Sequence, residues 1–437
     1  MTKQIYRKLT IFFITIISCI IFFPSIGTPQ IQKTKSANLF VNSIGVAVHL
    51  SFTDTAYGNY NEIIKPRLKE LGIKHIRGDG PTLKDKNTQN KFNDLANIGI
   101  KSTIIMEPRR VNPKEAVEVA KNLSSSLEAI EGPNEWDLQP QYNYEGQNFP
   151  VGLRKYQTEL YSAIKLDPVT SHLKVLAPSI AHMKNIDLLG KVPCDAGNLH
   201  FYPGPQTPTA RNKYERKLDT RFISQVKNMC GTNEFITTET GYHNALKDQK
   251  TRSQGLPETV AAKYLLRLFF EFFNRGIEHT YSYELIDYKS NSALDNYQYH
   301  FGLLRNDGSP KPDFIGIRNT IALLEDDSTS NSISHKLSQL NYKLKGDTNN
   351  IHHTVLQKNN GNYYLIFWQD FKSYNYDDKE EIPVRRQTIK ILLNKAIKEG
   401  NLYNPLRSIK SALKFTNTKS IYINVRDYPI ILELIHS

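Results

Sequence analysis

The chain has 437 residues, 39% hydrophobic, 23% charged and 11% aromatic, which is the composition of a globular protein with enough apolar mass for a large core. Its formal net charge is +13, and residues 329–437 hold 16 Lys/Arg against 9 Asp/Glu, so much of the excess lies at the C-terminus. No basic helix, zinc spacing or aromatic RNA-binding motif accompanies that charge, which excludes a nucleic-acid-binding module, and the lack of a CxxC pair argues against a metal site. Tyr occurs 24 times against two Trp. Such a bias suits either a sugar-facing surface or strand positions filled by Tyr.

The chain opens with Lys3, Arg7 and Lys8, an apolar run from Leu9 to Phe23, and the small residues Ser25 and Gly27. This pattern predicts a signal peptide over residues 1–27 and export to the medium, periplasm or cell surface. An uncleaved anchor, or lipidation at Cys19 in Ile16-Ile17-Ser18-Cys19, is the alternative. Strand-like apolar runs follow at 43–50, 74–77, 101–106, 127–131, 174–177, 197–202, 235–239 and 279–285. Helical patterns fall between them: one stopped by Gly72, then 87–98 closed by Gly99, 113–123 opened by Pro113, 152–164, 211–228, 258–275 and 313–324.

Eight strands with helices after most of them predict an α/β fold, a (β/α)8 TIM barrel over residues 38–328. A doubly wound sheet is disfavoured because no Gly-rich phosphate loop follows the first strand. Residues 326–334 are a polar Asp/Ser/Asn/Thr linker. Beyond it, short alternating runs at 336–345, 352–357, 363–368, 387–393 and 421–425 predict a small C-terminal β-sandwich over residues 329–437.

Two strand ends carry the chemistry. The fourth strand breaks at Gly132-Pro133 and leaves Asn134 and Glu135 side by side; the seventh ends in Thr238-Glu239-Thr240-Gly241. In a barrel, the C-terminal strand ends form the active face. Two carboxylates converging there suit a reaction that needs one proton donor and one nucleophile. Elsewhere they would read as ordinary surface acids.

With Asn134-Glu135 at strand four and Glu239 at strand seven, the chain resembles the clan A glycoside hydrolases. It is most similar to family 39, which includes β-xylosidases, α-L-iduronidases and exopolysaccharide hydrolases. The resemblance covers residues 44–324 and, more loosely, the C-terminal domain. It implies a retaining glycosidase without a cofactor or metal, in which Glu135 is the acid/base and Glu239 the nucleophile. Asn134 would bind the sugar 2-hydroxyl beside Trp136. Arg77, His200 and Tyr202 would hold the nucleophile or the sugar. His49 at the end of strand one would either reach the sugar or only cap the strand, and Tyr283 stands where the clan often has Trp. Glu131 and Glu284 are second candidates, expected to order the site. Structural readings compete at Arg77, as a partner of Glu131, and at His200, as a core histidine. Two other functions compete with hydrolysis: a non-catalytic carbohydrate-binding cell-surface protein on the same barrel, and a transglycosylase.

In the barrel frame, Cys194 precedes strand six and Cys230 precedes strand seven, so both sulfurs start from adjacent strand bottoms. A disulfide between them is expected, with two free thiols as the alternative. The basic C-terminal domain is expected to be accessory, either adhering to an anionic polysaccharide or cell surface or packing against the barrel.

Overall fold

The computed structural model describes residues 30–208, 218–248, 254–326 and 336–435. The signal segment, most of the 326–334 linker and the start of the 211–228 helix lie outside the described residues. The eight barrel strands are Ile44–Val48, His75–Asp79, Lys101–Ile105, Leu127–Glu131, Lys174–Leu176, Gly197–His200, Phe235–Thr240 and Thr280–Ser282. They neighbour one another in chain order. The eighth pairs back onto the first in parallel (Thr280 with Ile44), and a parallel bridge from Leu176 to Ala196 joins the fifth to the sixth. The sheet therefore closes, as the strand count predicts.

Local chemistry explains several helix ends. Gly72 adopts φ 78° and donates its N–H to the Leu68 carbonyl, stopping Lys65–Leu71. Asn112 and Glu115 form a reciprocal capping box at the start of Pro113–Asn122. Lys86–Ala96, Val151–Leu166, Glu258–Asn274 and Pro312–Leu324 follow their expected patterns. Met183–Leu189 does not. This single short helix after strand five is too brief to show periodicity.

Inside the barrel, Ala129, Leu176, Ala196, Ile236 and Tyr281 form a buried plug. Tyr281 fits because residue 45 is glycine; a Cβ there would lie 2.4 Å from the ring. The polar layer that carries the site sits above this plug.

The C-terminal strands Gln339–Lys345, Ile351–Gln357, Tyr363–Gln369, Gln387–Asn404, Ser408–Val425 and Ile430–Ile435 form one hydrogen-bonded sheet. It folds over its own core to make the sandwich. Gln387–Asn404 makes the bend: its first half pairs with Gln339–Lys345 and its second half with Ile430–Ile435. Strands Gln30–Lys33 and Lys35–Ser36, from the front of the chain, also join this sheet. The sandwich thus draws on more than residues 329–437.

The two domains share a core. Trp368 is wholly buried, stacks on Phe270 at 5.7 Å and donates its indole N–H to Glu271 at 3.0 Å. Arg267, also buried, binds Asp370 and the Phe371 carbonyl. Packing against the barrel is therefore a real role of the sandwich. Cys194 and Cys230 form the expected disulfide, with Cα atoms 5.4 Å apart.

Candidate active site

The strand ends surround a cleft of about 790 Å³. Glu135, Asn134, Arg77, His200, Tyr202, His49, Tyr283 and Glu239 all line it, so eight of the expected site residues converge. An oxygen of each of Glu135 and Glu239 and a ring nitrogen of His200 lie within 4.8 Å of one another. The three have metal-ligand chemistry. Each also meets a partner of opposite polarity, Glu239 with Arg77 and Glu135 with His200.

Glu239 reaches the cleft through a bulge. Asn198 and His200 on strand six pair with Ile236 and Glu239 on strand seven, so strand seven has one residue more than its neighbour. The same extra residue appears against strand eight. Ile236 faces the plug and Thr238 binds the buried Glu131, so simple alternation would turn Glu239 outward. The bulge turns it back in. There its carboxylate accepts from Arg77 Nη1 at 2.5 Å and from the Tyr202 hydroxyl at 2.8 Å. Burial alone would raise its pKa; His200, Arg77 and the Tyr202 bond together hold it below the usual carboxylate range.

Arg77 is 2% exposed and satisfies both readings made of it. Its Nε and Nη2 grip Glu131 bidentately, each at 2.8 Å, while Nη1 holds Glu239. Nη2 also donates to Asn134 Oδ1 at 2.6 Å. With Oδ1 occupied, Asn134 has its amide N–H₂ left for a ligand.

Glu135 sits at φ 47°, ψ 41°, a left-handed conformation unusual for a side chain of its size. Its backbone N–H is fixed to the Ser179 carbonyl at 3.1 Å. Glu107 accepts from the Asn134 N–H and from the Trp136 indole, both at 2.8 Å. These bonds hold the turn that projects Glu135 into the cleft. His200 Nδ1 lies 2.8 Å from Glu135, and Nε2 lies 2.8 Å from Thr238 Oγ1. The Thr238 hydroxyl has only the acceptors Asn198 Oδ1 and Glu131 to donate to, so it must accept from His200 Nε2–H. Nδ1 is left facing the Glu135 carboxyl. Burial disfavours the charged ring, but Glu239 and Glu135 outweigh it and raise the His200 pKa.

One expected sugar contact, Trp136, proves otherwise, and Glu284 acts from beneath the site rather than in it. Trp136 is wholly buried beneath the turn, against Tyr142, and cannot touch a ligand. Glu284 is also wholly buried; it accepts from the Tyr57 hydroxyl at 2.9 Å and lies 3.6 Å from His49 Nε2. Burial lifts the Glu284 carboxyl to about 8. A raised folded pKa means that the stability Glu284 contributes is complete below the unfolded value of about 4.3 and declines as pH rises towards about 8. Glu284→Gln should flatten the melting temperature between those limits, and an unchanged slope would contradict the assignment.

Sequence reasoning missed Asp79 and Glu107. Both stand at barrel strand ends, so the criterion that found Glu135 could have found them. Asp79 lines the cleft and lies 3.1 Å from His49 Nδ1. Burial raises its pKa, but His49, Arg110 and Arg77 outweigh that and keep it low, so it is ionised at neutral pH.

No family model matches the chain, and no curated protein matches it by sequence. Solved structures share its fold. A family 39 glycoside hydrolase from Bacteroides cellulosilyticus aligns over 91% of this chain and 82% of its own, at 14% identity and TM-score 0.56. A glucosidase from Croceicoccus marinus aligns over 93% and 97%, at 11% identity and TM-score 0.62. A 4-O-α-L-rhamnosyl-β-D-glucuronidase from Fusarium oxysporum aligns over 93% and 100%, at 12% identity and TM-score 0.55. These likenesses establish a (β/α)8 barrel with an attached β-domain.

Proposed function

We propose that the protein is an exported retaining glycoside hydrolase that cleaves O-glycosidic bonds of an oligo- or polysaccharide by double displacement. One observation carries this reading: Glu135 and Glu239 face each other across the cleft, one oxygen of each meeting the same His200 Nδ1 at 2.8 and 3.7 Å and lying within 4.8 Å of the other, the close pairing that double displacement requires. The fold's presence in glycoside hydrolases and a glucosidase adds support.

In this mechanism Glu239, kept ionised by Arg77 and Tyr202, attacks the anomeric carbon as the glycosidic bond breaks. Glu135 gives its proton to the departing oxygen and then, as carboxylate, takes one from the water that releases the sugar. His200 can take up or return a proton at Glu135 between the steps. Asn134 offers its amide to the 2-hydroxyl, a bond that strengthens as the ring gains positive charge. A screen of aryl glycosides and polysaccharides with wild type and Glu239→Gln side by side tests the reading. Hydrolysis by wild type alone supports it, whereas equal inactivity, with sugar still bound, favours the carbohydrate-binding alternative. Products longer than the substrate would indicate transglycosylation.

Asp79 restricts the sugar that occupies the cleft. Asp79 is paired with His49 and flanked by Arg77 and Arg110, so it would repel a uronate carboxylate only by the part of its charge that these cations leave uncompensated. A neutral or amino sugar is therefore expected beside the nucleophile. Asp79→Asn should narrow the preference for neutral over uronic aryl glycosides. If the ratio of kcat/KM values does not change, Asp79 plays no part in selection.

A further inference from the structure

Two cavities in the sandwich, of about 210 and 380 Å³, share Arg407, Arg426 and Tyr428 in their walls and form one two-lobed groove. Asn404 and Asn424 line the first lobe; Ile382 and Pro383 line the second. Among the described residues, neither guanidinium has a hydrogen-bond or ion-pair partner. This contrasts with Arg77 and Arg267, both tied to carboxylates. The second lobe also contains Lys263, Asp427 and Glu381; Lys263 Nζ lies 3.0 Å from Asp427 and 3.8 Å from Glu381, so one cation meets two acids and the trio keeps one negative charge. The two unpaired arginines outweigh that charge and leave the groove net positive.

From this groove we infer that the sandwich holds a second carbohydrate site, which takes a carboxylate-bearing (uronic acid) segment of a polysaccharide. Planar guanidiniums match a carboxylate with paired N–H donors. Tyr428 and Pro383 supply apolar wall for the C–H side of a sugar ring; Asn404 is engaged with the Tyr428 hydroxyl and the Leu406 N–H, while Asn424, whose Oδ1 accepts from Thr388, has its amide N–H₂ left for a hydroxyl. This combination favours a saccharide over a bare phosphate chain. Lys263 lies in the second turn of the helix that follows strand seven, and that helix starts at the barrel's catalytic face. The inference deepens the glycosidase reading and rests on the cleft being a saccharide site. It also separates the sugars: uronate in the groove, a neutral or amino sugar beside Glu239.

The test is calorimetric titration of the full chain with a polygalacturonate oligomer at low and high salt, for wild type, Arg407→Gln and Arg407→Gln/Arg426→Gln. Wild type should bind, more weakly at high salt. Each lost arginine should weaken binding about tenfold or more. Melting temperature and hydrolysis of a small neutral aryl glycoside should not change, because neither arginine lines the cleft. Arg407 is exposed, so the single variant reads the site even if the double variant folds poorly. Undiminished binding by the single variant, or no binding by wild type, overturns the assignment. So does duplex DNA binding with the same affinity and the same loss, which would make the groove a general anion patch. If the glycosidase reading alone is wrong, the aryl glycoside assay fails while the titration still succeeds.

Discussion

Glu239→Ala should lose turnover on the order of 10⁵-fold, about 7 kcal/mol of transition-state stabilisation, because no other group stands in line to attack. Azide should fill the space left by the carboxylate and restore turnover of an activated β-glycoside, giving the α-glycosyl azide by a single inversion. Glu135→Ala should behave differently. General acid catalysis contributes about 10²–10⁴-fold, and it matters only where the leaving group needs a proton. Dinitrophenyl glycosides should therefore form the glycosyl-enzyme nearly as fast as with wild type, and azide should then release the β-azide. Equal losses for both variants on activated substrates, or the opposite azide stereochemistry, would mean that the two roles are wrongly assigned.

Arg77→Met should weaken both stability and the pH range of activity. The substitution leaves Glu131, with no exposed surface, to hold a charge supported by hydrogen bonds from Asn198 and Thr238 and by His200 Nε2 at 3.8 Å. Breaking a buried pair in this way costs about 3–5 kcal/mol, or on the order of 10 °C in melting temperature for a domain of this size. Glu239 loses one of the cations that keep its pKa low, so the acidic limb of kcat/KM should move to higher pH. Arg77→Lys keeps the charge but not the fork, and should recover much of the pH profile and less of the stability. A variant that melts lower yet keeps the wild-type acidic limb would make Arg77 a structural residue only.

The sequence alone determined the barrel, the sandwich and most of the site. Apolar runs of strand length, alternating with helices that end at Gly72 or open with Pro113, are local signals that survive without knowledge of the fold. The position of Asn134-Glu135 after Gly132-Pro133 is equally local, as is the spacing that placed Cys194 and Cys230 at neighbouring strand bottoms. Tertiary structure alone decided where side chains point once the regular pattern stops. Glu239 faces the cleft because a bulge, set by pairing with both neighbouring strands, reverses the alternation. Glu107 takes the Trp136 indole from the adjacent strand end and draws the ring under the turn, away from any sugar. The strands Gln30–Lys33 and Lys35–Ser36 join partners more than three hundred residues away. Periodicity records how a segment relates to its own axis. Register, bulges and hydrogen bonds between strand ends depend on neighbours distant in the chain, and only the closed barrel brings them together.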